Sequence, residues 1–160
     1  CWEEGIKTVR SNPVDWFWKQ TVEDKLVNRV FRTGDAYLPL GKRTSFPLSS
    51  LKVQEGLPLA IPASRFLRPV DGKRDILNKL RLQRILSEMT EAAKRNECYH
   101  LWWHPHNFGS HPERSMSDLR VIIDHFKKLQ QQYGMQSMGM LEIYEYLNST
   151  PTINLSPAVL

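Results

Sequence analysis

Apolar residues recur at helical spacing in four parts of the chain, and the first two of these predict helices of different length. Thr21, with Asp24 three residues later, resembles a capping box, and the apolar positions that follow predict a helix ending near Gly34. A longer stripe of leucine, isoleucine, methionine and alanine predicts a second helix from Gly72 to about Asn96.

Two further helices are predicted in the C-terminal part of the chain. Ser117 is a suitable N-cap for the third helix, whose apolar positions repeat until Gly134, a residue type that commonly ends helices. The fourth helix is predicted from four apolar positions at helical spacing: Met140, Ile143, Tyr144 and Leu147. Residues 150–160 are expected to form a loose tail, which makes residues 1–149 the folded part.

Strands are predicted at only two places. The run GIKTVR (5–10) is of β type and ends at a turn signal, and CYHLWWH (98–104) follows the second helix. Residues 40–70, rich in proline, serine and glycine, predict a long loop region with one short strand at most. Strands separated by helices indicate an α/β fold with parallel pairing. With so few strands, neither a sheet nor a barrel closes, and we expect the architecture to be incomplete.

The composition narrows the possible partners. The formal net charge is +5, but the basic residues are dispersed among acidic ones, and the densest basic stretch (73–84) has the pattern of a solvated helix face. Phosphate binding requires clustered cations, so we expect no nucleic-acid partner. No apolar run approaches the ~20 residues of a membrane span. The chain has two cysteines, which are too few for a disulfide framework.

The histidines of residues 98–104 carry the candidate chemistry. Side chains alternate along a strand, so His100 and His104 share one face with Cys98 and Trp102, and Leu101 faces the other way with its neighbours Tyr99 and Trp103. Pro105 disfavours continued sheet and places His104 at the carboxyl end of its strand, where parallel α/β folds hold their active sites. Imidazole there suits general acid–base catalysis.

Other roles for these histidines stay open. They could be structural residues in the core or at its edge, hydrogen-bonded within the protein and packed beside bulky aromatic side chains. Alternatively, His104 and His106 could form a metal site, with His100 or Cys98 as a further ligand. Positions i and i+4 of a strand lie about 13 Å apart, which limits the local ligands of one ion to two.

Two roles are also possible for the two arginines in SRFLRP (64–69). Arg65 and Arg68 could grip a charged or hydroxylated sugar, or they could tie their segment to carbonyls and carboxylates of the protein itself. The sequence favours neither.

Several stretches together resemble the C-terminal part of the polysaccharide deacetylases, the NodB-homology group of carbohydrate esterases. LWWH (101–104) is similar to that family's late L-x-x-H motif, and MQSMGMLEI (135–143), after a long helix, resembles the segment that closes the domain. EEGIKTVRSN (3–12) resembles the strand that bears an arginine. The resemblance implies a distorted (β/α) barrel, of which this chain holds the C-terminal part, and hydrolysis of N- or O-acetyl groups on a glycan.

The resemblance also implies roles for three residues. His104 matches the histidine that protonates the departing amine or alkoxide, and Arg10 matches the arginine that pairs with the catalytic base. Leu101 matches the residue that lines the pocket for the acetyl methyl group. NPVDW (12–16) resembles the family's D-x-x-D-W motif, although it lies closer to Arg10 than the family order places it.

The family's early motifs, T-F-D-D and H-x-x-x-H, are absent from these residues. The resemblance therefore implies that the catalytic base and a divalent metal, usually zinc, are held outside this chain, and that the chain alone is inactive. The expected partner is an acetylated polysaccharide or oligosaccharide. Two alternatives remain: a non-catalytic carbohydrate-binding relative, and a basic module that binds nucleic acid or another partner.

Overall fold

The computed structural model describes residues 2–13, 18, 26–38, 41, 44–149 and 158–160. The order of elements within them is β1 (Thr8–Ser11), α1 (Leu26–Asp35), β2 (Leu59–Pro62), β3 (Arg65–Phe66), α2 (Asp75–Arg95), β4 (Leu101–Trp102), α3 (Pro112–Tyr133) and α4 (Met140–Ser149). Short 3₁₀ helices lie at Leu48–Ser50 and Pro105–Phe108. The protein is therefore a mixed α/β structure, as predicted. No helix among these residues is long and apolar enough to cross a membrane.

The strands pair in parallel on either side of one central segment. β2 pairs with β1, and β3, two residues further along, pairs with β4. The two intervening residues continue the bonding, because Ala63 donates its N–H to the Ser11 carbonyl and Ser64 donates to the His100 carbonyl. The carboxyl ends of β1 and β4 consequently flank the same segment. Parallel pairing is confirmed, and the barrel stays an expectation of the resemblance.

Two strands occupy residues 40–70, so the prediction of one short strand at most is wrong. The prolines on either side of Leu59 and Ile61 had indicated a loop. Leu59 donates its N–H to the carbonyl of Lys7, the residue before β1, and Ala63 donates to the carbonyl of Ser11 at the end of β1. Alternate N–H groups of a strand point the same way. Pro62 therefore removes no hydrogen bond to β1, and the strand tolerates it.

α2 and α3 pack around one apolar core, and α4 contributes Ile143 to a second one that contains Leu59 and Ile61 of β2. The fully buried members of the first core are apolar and include Ile85 and Met89 of α2, Tyr99, and Ile122 of α3. α2 matches its predicted bounds closely and ends at Asn96, whose left-handed backbone (φ 57°) caps the helix.

The third helix begins earlier than predicted and ends as predicted. α3 starts at Pro112, so Ser117 lies inside the helix and is not its N-cap. Proline suits the first turn of a helix because its missing N–H has no partner there in any case. Gly134 ends α3 with φ 71°, and α4 contains the predicted apolar positions. Thr21 and Asp24, the predicted capping box, lie outside the described residues.

Residues 158–160 form backbone hydrogen bonds with the core, contrary to the expectation of a loose tail. Val159 is buried and forms parallel bridges with Cys98 and Gln136. Tyr99 donates its N–H to the Val159 carbonyl at 2.7 Å, and Gln136 donates to the Ala158 carbonyl at 2.7 Å. The rest of the predicted tail, residues 150–157, lies outside the described residues.

A buried ion-pair network joins α1, β3 and α2. Arg65, 6% exposed, donates two hydrogen bonds to the Glu88 carboxylate, of 2.6 and 3.0 Å. It also donates to the carboxylate of Asp35 at 2.8 Å and to the backbone carbonyl of Asp35 at 2.7 Å. Arg84 donates to the other carboxylate oxygen of Asp35 at 3.0 Å, and the Tyr99 hydroxyl donates to Glu88 at 2.8 Å. Of the two roles left open for Arg65, the structure shows the one within the protein itself.

Opposite charges keep this network ionised despite its burial. Burial alone would lower the pKa of Arg65, but the charge of Glu88 and its hydrogen bonds, with help from Tyr99 and Asp35, raise that pKa above its usual value. Burial and the nearby Glu88 raise the pKa of Tyr99, which keeps the hydroxyl a hydrogen-bond donor.

Arg68 also serves the fold. Its guanidinium donates to the Arg32 carbonyl of α1 at 3.1 Å, and burial lowers its pKa from the usual value. Neighbouring Arg81 of α2 donates to the Arg68 carbonyl and pairs with Asp118 of α3. The SRFLRP segment is thus tied to three helices.

We predict that Arg65→Met lowers the free energy of unfolding by about 3–5 kcal/mol, since it removes one partner of a buried ion-pair network and leaves carboxylates under-compensated. Urea denaturation followed by circular dichroism measures the change. Arg95→Met is the matched control: Arg95 forms an exposed pair with Glu91, and its loss should leave stability nearly unchanged. Equal stability of the two variants would contradict a structural role for the Arg65 network.

Candidate active site

The candidate site lies at the carboxyl ends of β1 and β4. Arg10 is near the end of β1, and His104 follows β4 by two residues. His104 has extended backbone (φ −99°, ψ 142°) and precedes the 3₁₀ helix that begins at Pro105. Both side chains are exposed. The predicted position of His104, at the carboxyl end of a parallel strand, is confirmed, although β4 itself is shorter than the predicted strand.

The indole of Trp102 lies at the centre of this site. The Arg10 guanidinium carbon is 3.6 Å from the centre of the indole ring, a cation–π arrangement. The His104 ring lies 5.1 Å from the same indole at 89°, an edge-to-face contact. Phe66, which is paired in register with Trp102, packs its ring 4.4 Å away. Two residues far apart in the sequence, Arg10 and His104, are thereby brought together.

Leu101 is directed to the other side of the strand. It is half-buried and packs against the core cluster that contains Tyr99. It also lines a cavity of about 190 Å³, together with His100 and residues of the loop before α4. Within β4 the predicted alternation is observed, because Trp102 contacts His104 whereas Leu101 packs in the core. It does not extend to the residues before β4, since Cys98 and His100 line the same cavity as Leu101. The structure therefore does not place Leu101 among the rings around Trp102.

The ring of His100 is hydrogen-bonded within the protein. Its Nδ1 lies 3.0 Å from the Pro62 carbonyl, and because a carbonyl only accepts, Nδ1 carries the proton. Burial lowers the pKa of His100 from its usual value, and the positive charge of Arg10 lowers it further, against the raising effect of the Pro62 hydrogen bond. The ring is thus neutral at pH 7. For this residue, the structural role left open by the sequence is the one observed.

Cys98 lines the same cavity and is almost fully buried. Burial raises the pKa of the Cys98 thiol to about 12, with a smaller contribution from Glu97. The sulfur is consequently protonated at physiological pH and behaves as a small apolar group.

The described residues contain no group of three histidine, cysteine, aspartate or glutamate side chains that could hold a metal ion. His104 and His106 are close, with ring centres 5.1 Å apart, but the rings are stacked at 12°. The lone pairs of imidazole nitrogens lie in the ring plane, so stacked rings do not converge on one ion. The alternative of a local His104–His106 metal site gains no support from this geometry.

Comparisons with known proteins add nothing to this picture. The chain matched no model of a known protein family, no curated protein and no solved structure. Asp15 and Trp16, which resemble part of the family's D-x-x-D-W motif, lie outside the described residues. The deacetylase resemblance and the roles of Arg10, Leu101 and His104 therefore remain proposals.

Sequence reasoning missed Phe66 as a member of the site. It lies in the segment predicted as loop, and only the pairing of β3 with β4 brings it beside Trp102. The central position of Trp102 was also missed, although the predicted alternation already placed it on the face of His104.

We predict that the chain by itself binds zinc weakly. After loading with zinc and dialysis against a mild chelator, elemental analysis should find far less than one zinc per chain, because stacked histidines offer at most isolated ligands. A His104→Ala/His106→Ala double variant is the control and should retain the same small amount. Stoichiometric zinc in the wild type that disappears in the double variant would contradict this and establish a local site.

We also predict that Cys98 is unreactive in the folded protein. A pKa of about 12 in place of 9.0 lowers the thiolate fraction at pH 8 roughly 10³-fold, and only the thiolate attacks a disulfide reagent. The rate should rise with pH up to about 12 and reach ordinary values once urea unfolds the chain. Cys1→Ser isolates the signal of Cys98. Rapid reaction of the folded variant at pH 8 would show that the thiol is neither buried nor protonated.

Proposed function

We propose that this protein is the C-terminal portion of a metal-dependent polysaccharide deacetylase that hydrolyses N- or O-acetyl groups on a glycan. One observation carries the proposal. Arg10 and His104, to which the resemblance assigns catalytic roles, are exposed at the carboxyl ends of two parallel strands and contact the same indole. Active sites of parallel α/β folds occupy this end of the strands.

His104 is the proposed general acid. Its imidazole is exposed beyond the end of β4, so a glycan could approach it from solvent. In this role a ring nitrogen of His104 donates a proton to the amine or alkoxide that leaves when the tetrahedral intermediate collapses. Contacts with three other rings restrict the orientation of this imidazole, while the residue stays exposed; the rings are those of Phe66, Trp102 and His106.

Arg10 is proposed to pair with the carboxylate that acts as base. Arg10 contacts the Trp102 ring, and it forms no ion pair with a carboxylate among the described residues. A guanidinium stacked on an aromatic ring keeps its in-plane N–H donors available, and these match a carboxylate in a bidentate pair. Leu101 is proposed to line the acetyl-methyl pocket.

The divalent metal, proposed to be zinc, would be bound by residues outside this chain. When bound, it supplies Lewis acidity toward the acetyl carbonyl and a water of lowered pKa. The described residues offer no matching ligand set, so their own contribution is limited to acid catalysis, to orienting the base and to substrate contacts.

We predict that His104→Ala, in a protein that includes the metal-binding half, lowers kcat on an acetylated amino sugar by roughly 10²–10⁴, the usual contribution of general acid–base catalysis. The loss should be smaller on aryl acetates, whose leaving groups depart without a proton. Steady-state kinetics on both substrates measures the difference.

His106→Ala is the matched control, because His106 stacks on His104 but lies in the following 3₁₀ helix. It should cost far less activity, and the bound metal should be unchanged in both variants. Normal turnover of His104→Ala would refute the proposed role. Equal losses at His104 and His106 together with loss of metal would instead identify a ligand pair.

A further inference from the structure

Trp102 contacts both residues that the proposed function makes catalytic. One contact is the Arg10 guanidinium at 3.6 Å from the ring centre, and the other is the His104 ring at 5.1 Å and 89°. Phe66 adds a third contact at 4.4 Å and also approaches His104 at 6.0 Å. No other described side chain contacts Arg10 and His104 in this way.

The side chain of Trp102 has less conformational freedom than that of either neighbour. Trp102 lies in β4, in register with Phe66 of β3, and its carbonyl accepts the N–H of Leu67 at 2.8 Å. Arg10, by contrast, has a long exposed side chain with many rotamers, and His104 lies beyond the end of its strand. A strand-held aromatic ring between them can restrict both.

The preferred geometries of the two contacts also suit such a role. A cation favours the face of an indole, where the ring is electron-rich, and two aromatic rings favour an edge-to-face approach. The ring of Trp102 offers both at once, so the guanidinium and the imidazole each have a defined place relative to one rigid plane.

We propose that Trp102 is a positioning residue that sets the guanidinium of Arg10 and the imidazole of His104 relative to each other. The effect of Trp102 on catalysis rests on the proposed function. Its effect on the positions of the two side chains does not depend on that function. Trp102 acts through its two neighbours and takes no part in proton transfer.

The positioning can be tested on the 160-residue chain without any activity. An aromatic ring shifts the NMR signals of nearby protons, upfield over its face and downfield at its edge. The side-chain N–H protons of Arg10, which lies over the indole face, should therefore be shifted upfield in the wild type, and the His104 ring protons should also carry a ring-current shift. Trp102→Leu should move both sets of signals toward ordinary values. Trp102→Phe keeps an aromatic face and should retain part of the shift at both residues.

Trp103→Leu is the matched control. Trp103 is the adjacent tryptophan, is 40% exposed and contacts Phe108 in place of Arg10 or His104. Its replacement should leave both sets of signals unchanged. Arg10 and His104 signals that stay in place in folded Trp102→Leu would overturn the proposal. If that variant does not fold, ordinary shifts in folded Trp102→Phe would overturn it equally.

The catalytic consequence is tested in a protein that includes the metal-binding half. Trp102→Leu should lower kcat about 10–100-fold with KM nearly unchanged, because displacing a catalytic group by about 1 Å costs up to that much. Trp102→Phe should recover most of kcat, and Trp103→Leu should behave as the wild type.

The two arms separate the two proposals. A wild type without activity on any acetylated sugar refutes the proposed function, while the NMR arm still decides whether Trp102 positions its neighbours. A wild type that is active, with full kcat in Trp102→Leu, overturns the positioning role alone.

Discussion

The buried contacts of Arg65 are the constraint on which the rest of the structure depends. Arg65 is in β3, and its guanidinium binds Asp35 at the end of α1 and Glu88 in the middle of α2. A strand of two residues has little pairing energy of its own, so its position must come from tertiary contacts. Removing a charge from water costs several kcal/mol, and only a full set of partners offsets that cost. This requirement fixes where α1, β3 and α2 meet.

The same strand carries that constraint to the candidate site. Successive residues of a strand face opposite ways, so Arg65 enters the buried network while Phe66 faces Trp102. The pairing of β3 with β4 repeats the pattern, because Leu101 opposite Arg65 packs in the core and Trp102 opposite Phe66 belongs to the site. The site is thus the outer face of a strand pair whose inner face is fixed by charge and apolar packing.

Much of this could be predicted from local pattern, and the failures have physical reasons. The apolar stripe of α2 and the glycine after α3 predicted those elements well, because helical periodicity and a left-handed cap are local properties. β3 could not be predicted, since its two residues are held by partners distant in sequence: Glu88 and the backbone of β4. Val159 escaped prediction for the same reason, being held by Cys98 and Gln136.

In the candidate site, too, the features set by local sequence could be predicted and those set by contacts distant in sequence could not. Alternation and Pro105 placed His104 correctly at the carboxyl end of its strand, but no local signal shows that Arg10 reaches across the central strand segment to Trp102. That contact requires β1 and β4 to flank one segment, which only the pairing of β1 with β2 and of β4 with β3 establishes. The side chains that would do chemistry are exposed, whereas the aromatic residues that they contact, Trp102 and Phe66, are half-buried and belong to paired strands. A site built in this way keeps its donors accessible to substrate and obtains its geometry from the strands below.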